Sequence, residues 1–126
     1  MEPVSLFYEK RAQLLLKNLR ARHFDACYCP DRASALAAAL RLIPQESLVG
    51  WGGARSADQI GLQQALRDGP WRVIDRENMQ TDAEREQAAH DCLSADFFLT
   101  GANAVSLTGE LVNIDGKGNR VAAIVF

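Results

Sequence analysis

Three segments of the chain carry residue types that can grip a small anion, and each follows a short apolar run. The first is Gly50-Trp51-Gly52-Gly53-Ala54-Arg55-Ser56. Gly50, Gly52 and Gly53 let the backbone turn sharply and let a ligand approach main-chain N–H groups. A helix expected from Ser56 would aim its partial positive end at the same place, and the Arg55 guanidinium would add charge. The segment suits an anion cradle for phosphate or carboxylate, and it suits equally a tight connection that holds nothing. Its spacings are neither those of a Walker A loop nor those of a dinucleotide-binding GxGxxG.

The second segment is Thr100-Gly101-Ala102-Asn103-Ala104, where Gly101 allows a close-packed turn and Asn103 offers both a donor and an acceptor. A turn that merely caps a strand would look the same. The third is Asn113-Ile114-Asp115-Gly116-Lys117-Gly118-Asn119-Arg120, just ahead of an expected helix. Such a loop presents backbone N–H groups and a forked guanidinium to an anion. Alternatively, Asp115 pairs with Lys117 or Arg120 as a structural clasp. Because ligands of open α/β sheets bind outside the carboxyl ends of the strands, three such loops after three apolar runs point to one shared pocket.

Other chemistry is thinner. The sequence contains neither HExxH nor GxSxG, and no catalytic residue is assigned. Cys27 and Cys29 would face the same side of a strand. They read either as a metal or redox pair or as two small, buried, reduced side chains. With Cys92 they make three thiols and no zinc set, and an iron–sulfur cluster wants four. No metal site and no cofactor of its own is therefore expected. His90 is expected at a surface or rim, and His23 at a helix end. Asp82, Glu84, Glu86 and Asp91 are read as solvated.

The elements that must position these loops alternate as helix and strand, the pattern of an α/β domain with a mostly parallel sheet and flanking helices. Helix is expected over about Ser5–Arg22 and, capped by Asp31, over Arg32–Leu42. Capping boxes at Ser56/Gln59 and Thr81/Glu84 open two more, the latter running to about Ser94. Strands are expected at Phe24–Cys29, Ser47–Gly50, Trp71–Ile74 and Asp96–Thr100. Ala104–Ser106 and Glu110–Ile114 flank a turn, and Val121–Phe126 is taken as helix.

The bulk numbers bound the answer. The 126 residues fit one domain. A net charge of −2 and 7% aromatics leave no basic, stacking face for nucleic acid. No apolar run approaches the ~20 residues of a membrane span, and the N-terminus lacks the charged and apolar regions of a signal peptide, so a cytoplasmic protein is expected.

The stretch from Thr100 to Phe126, TGANAVSLTGELVNIDGKGNRVAAIVF, closely resembles the C-terminal motif of the LUD (lactate-utilisation) domain family. So does Val49–Ser56, VGWGGARS, with Ile60-Gly61 following. The resemblance covers nearly the whole chain and points to the small, stand-alone type. It implies a NagB/RpiA/CoA-transferase-like fold, and Thr100–Ala104 and Asn113–Arg120 as counterparts of loops that line an anionic-ligand pocket. Family members continue past the position of Phe126 with a Gly-Pro turn and another strand. Residues 1–126 are thus expected to be a single, truncated domain, the N-terminal two-thirds of the family's length.

The resemblance further implies a component of L-lactate oxidation to pyruvate that binds a small anionic metabolite, carboxylate or phosphate, and works with iron–sulfur partner subunits. Self-association into a homo-oligomer stays open. Two other readings stand beside it. One is an enzyme on sugar phosphates or CoA esters, which would need Asp115 or Glu110 as acid or base. The other is a non-catalytic ligand-sensing module.

Overall fold

The computed structural model describes residues 1–126. In chain order the elements are α1 (Pro3–Ala21), α2 (Arg32–Leu42), β1 (Leu48–Trp51), α3 (Arg55–Gln59), α4 (Leu62–Asp68) and β2 (Arg72–Ile74). There follow a 3-10 turn at Arg76–Asn78, α5 (Asp82–Asp91), a second 3-10 turn at Cys92–Ser94, β3 (Phe97–Leu99), β4 (Ala104–Val105), β5 (Leu111–Val112) and α6 (Asn119–Val125). Three strands form a parallel sheet in the order β2-β1-β3, and β4 and β5 form a separate antiparallel hairpin. The fold is α/β.

The central strand sets the packing. Alternation sends Val49 and Trp51 to one face of the sheet and Gly50 to the other. Val49 and Trp51 join Ile43, Ala54, Leu62 and Leu66 in the core, with Leu36, Leu40, Trp71, Val73, Phe97 and Leu99 packed around them. Burying each large apolar side chain contributes about 1.5–3 kcal/mol. The Arg67 guanidinium lies 5.3 Å from the Trp51 ring centroid. Asp75 and Glu77 hold it there at 2.5 and 2.6 Å, which fastens the end of α4 to the turn after β2. On the opposite face, Gly50 has no side chain because the Cys92 sulfur fills the space: a Cβ at residue 50 would lie 2.5 Å from Sγ.

Side-chain N-caps open two of the six α-helices. The Asp31 carboxylate accepts from the Ser34 N–H at 2.7 Å and opens α2. At α5 the reciprocal box forms, with Glu84 N–H donating to Thr81 Oγ1 at 3.1 Å and Thr81 N–H to Glu84 Oε2 at 3.3 Å. The box expected at Ser56/Gln59 does not form. The cap falls two residues earlier, at Ala54, which is drawn into the core and whose carbonyl accepts from the Asp58 N–H.

Phe24–Cys29 is not a strand. It pairs with neither edge of the sheet and with no strand of the hairpin, so its backbone has no ladder. His23, at φ 68°, turns the chain out of α1, and the Ala26 carbonyl is taken by the Arg20 guanidinium at 2.8 Å. Cys27 is consequently exposed and Cys29 only half-buried, in place of a buried pair; all three cysteines are free thiols. The hairpin falls where expected, and Asn18 and Arg22 at the end of α1 donate to the Leu107 and Thr108 carbonyls on its turn. The final segment is helical, as expected.

Candidate functional site

All three parallel strands end on one side of the sheet, and the loops leaving β1 and β3 meet there. Gly52-Gly53 follows β1, Thr100–Asn103 follows β3, and Arg76–Asn78 follows β2. The loop from Asn113 to Arg120 lies against the first two. Its contact is built on Arg120, whose Nη2 donates to Asn103 Oδ1 at 2.5 Å and to the Ile114 carbonyl at 2.9 Å, while Nη1 reaches the Gly53 carbonyl at 3.4 Å. The stem of the same side chain lies where a side chain on residue 52 would go: a Cβ there would stand 3.2 Å from Arg120 Cγ and 3.1 Å from the Phe98 ring. Asn103 Oδ1 also accepts from the Ile114 N–H at 2.8 Å, and Gly101 N–H donates to the Gly53 carbonyl at 3.3 Å. One guanidinium thus pins the three glycine-rich segments together through carbonyl oxygens.

Asp115 is engaged in the same way. Its Oδ2 accepts from the N–H groups of Arg120 at 2.7 Å and Val121 at 3.2 Å, at the start of α6. Gly118, at φ +81°, supplies the left-handed turn that brings the chain round to them. Desolvation, the largest single influence, pushes the carboxyl upward. The N–H groups of Val121, Arg120 and Lys117, with the Arg120 charge, outweigh it and hold Asp115 below the ordinary carboxylate range. Neither side-chain pairing of the clasp alternative, Asp115 with Lys117 or with the Arg120 guanidinium, forms; Asp115 takes main-chain N–H groups instead. Lys117 points elsewhere, with its Nζ 3.5 Å from Glu86 on α5.

The remaining residues of the three segments are spread around this junction. Gly50 lies beneath it against Cys92. Arg55 and Ser56 are exposed on α3, and Thr100 donates to the Gly101 carbonyl at 2.7 Å. Asn113 Oδ1 and Arg120 Nε are buried without a hydrogen-bond partner, one acceptor and one donor at the same junction.

The open space lies on the α5 side. A cleft of about 730 Å3 runs between that helix and the loop Asp115–Asn119, with Arg76 beside it. Gly116, Lys117, Gly118 and Asn119 line one side, and Asp82, Arg85, Glu86 and His90 the other. Ala89, Leu93 and Ala122 make its apolar part. Arg85 pairs with Asp82 at 2.9 Å, and His90 Nε2 stands 3.9 Å from Glu86. Two further depressions, beside Trp71 and beside His23, take in none of the strand-end loops. No group of three or more His, Cys, Asp or Glu side chains is placed to hold a metal ion.

The glycine loops give no sign of Arg76, Asp82, Arg85, Glu86 and His90, the other polar residues of the cleft. Two signals were available. Arg76 follows the apolar run of β2 just as the other loops follow theirs, and residues 82, 86, 89, 90 and 93 share one face of a helix by spacing.

A parallel three-stranded sheet whose polar loops and cleft gather beyond the carboxyl ends of its strands is the arrangement in which open α/β domains take ligands. The chain belongs to the LUD domain family, whose model matches residues 12–126 and so takes in every loop of this site. That domain is associated with lactate-utilisation proteins. Comparison with curated proteins and with solved structures returned no match. No helix is long and apolar enough to cross a membrane.

Proposed function

We propose that this chain is the small-anion-binding component of a lactate-utilisation system. The observation that carries the reading is the convergence of three strand-end loops on Arg120 beside an open cleft of mixed charge, in a chain of the LUD family. Oxidising L-lactate to pyruvate removes two electrons and two protons. The electrons would leave through iron–sulfur partner subunits, and this chain would hold the carboxylate. Three free thiols accord with work in the reducing cytoplasm.

The residues also favour this reading over an acid–base enzyme acting on sugar phosphates or CoA esters. The Asp115 carboxylate is occupied by the N–H groups of Arg120 and Val121 at the start of α6, which does not suit a group that must exchange a proton with a substrate. Glu110 sits on the hairpin turn, where Oε1 accepts from Thr108 at 2.9 Å and lies 3.7 Å from Arg22.

The test is thermal unfolding of the purified chain with L-lactate, pyruvate, inorganic phosphate and CoA. A ligand present at one hundred times its Kd adds about 2.7 kcal/mol to the folded state and raises the melting temperature. A rise with lactate or pyruvate is expected. No rise with any of the four would reject the binding reading and leave a scaffolding role.

A further inference from the structure

We infer that Arg76 is the carboxylate anchor of the α5 cleft, and that the cleft takes 2-hydroxy or 2-oxo monocarboxylic acids, with room for side chains longer than the methyl group of lactate. The inference rests on the proposed anion-binding role and gives it a residue and a ligand class.

The argument begins with charge. Arg76, Arg85 and Lys117 line the cleft together with Asp82, Glu86 and Asp115. Arg85 is matched by Asp82 and Lys117 by Glu86. The Asp115 carboxylate is spent on the N–H groups that begin α6. Arg76 alone makes no ion pair, and its side chain takes part in no hydrogen bond, although it is half-buried. A half-buried guanidinium with an open fork is matched by one planar carboxylate, bound by two parallel N–H···O bonds. With the other cleft charges paired among themselves, Arg76 offers one unmatched positive charge, which a monoanion balances and a doubly charged phosphate exceeds. The balance therefore selects a monoanion.

The rest of the lining describes the rest of the ligand. His90 and Asn119 can each donate to or accept from a hydroxyl or carbonyl oxygen next to the carboxylate. Ala89, Leu93 and Ala122 offer an apolar wall. The volume, about 730 Å3, lies in the range of clefts that hold whole small molecules, roughly 300–1,000 Å3. A three-carbon acid fills a small part of it, and a longer aliphatic chain covers more of the apolar wall.

The experiment is isothermal titration of the full chain with L-lactate, pyruvate, 2-hydroxyhexanoate, inorganic phosphate and CoA, repeated with Arg76→Gln and Arg76→Lys. The wild type is expected to bind 2-hydroxyhexanoate at least as tightly as lactate. Arg76→Gln should raise the Kd of each monocarboxylate by roughly 10- to 100-fold, the loss of a charge-assisted pair. Arg76→Lys should fall between. Melting temperatures should stay unchanged, because the Arg76 side chain holds nothing else. Carboxylate binding that Arg76→Gln leaves intact would overturn the anchor and leave the anion-binding role standing. Tighter binding of phosphate or CoA than of any monocarboxylate would overturn the ligand class while also sparing that role. No binding of any probe would remove both.

Discussion

Replacing Arg120 by methionine keeps the aliphatic stem against Gly52 and removes the guanidinium that pins three loops together. Two of its bonds are short, to Asn103 Oδ1 at 2.5 Å and to the Ile114 carbonyl at 2.9 Å; the third, to the Gly53 carbonyl, is long at 3.4 Å. The side chain is half-buried, so the lower end of the range for such bonds applies, about 1 kcal/mol for each short bond. The lost partners are neutral carbonyl oxygens near solvent, which water can partly satisfy. The expected loss is about 2 kcal/mol. For a chain of 126 residues this lowers the melting temperature by roughly 7 °C. Thermal unfolding followed by far-ultraviolet circular dichroism reads it, with the urea midpoint as a second measure. Arg120→Lys keeps the charge without the fork and should recover less than half of the loss. A methionine variant that melts within about 1 °C of the wild type, or a lysine variant that recovers it fully, would refute this role of Arg120.

Three further outcomes are expected from the same geometry. Gly50→Ala forces a Cβ onto the Cys92 sulfur and should cost about 1–3 kcal/mol; adding Cys92→Ala should relieve part of that loss, so that the double variant is more stable than the sum of the singles predicts. Additive losses in urea unfolding would show that the two residues do not collide. Asp115, whose folded-state carboxyl lies below its unfolded value near 3.9, contributes stability that is complete above about pH 5 and is lost as pH falls through the folded value; the gap between wild type and Asp115→Asn should be constant from about pH 5 to 7 and shrink below about pH 4. An equal gap at both ends of that range would contradict the assignment. Thr81→Ala opens the capping box of α5 and should cost about 1 kcal/mol in denaturant unfolding, with Thr81→Ser retaining most of it; a silent alanine variant would mean the box adds nothing.

Local chemistry was readable wherever a side chain bonds to its own neighbourhood. Asp31 and the Thr81/Glu84 pair satisfy helix N–H groups three residues away, so spacing alone located both helix starts. The glycine runs after β1 and β3 marked close backbone approach, and Gly52 does meet Arg120. What spacing could not supply was tertiary choice. Ser56 matched a capping pattern, but the pull of buried Ala54 shifted the cap by two residues. Phe24–Cys29 had the composition of a strand, yet a strand exists only where a neighbour accepts its hydrogen bonds, and none does. The cleft was half legible. Its loop side lay in a conspicuous glycine segment, whereas Arg76, Arg85, Glu86 and His90 come from a turn and a helix face whose charges look like ordinary solvated surface until the fold sets them opposite Lys117.

The most direct measurement is a two-dimensional amide NMR titration of the full chain with pyruvate. Binding beyond the strand ends predicts saturable shifts in the amides of Arg76, His90 and Gly116–Asn119, with the exposed first turns of α1 unmoved. Saturable shifts confined to other parts of the chain, or none at concentrations where lactate and pyruvate should fill the cleft, would contradict the account.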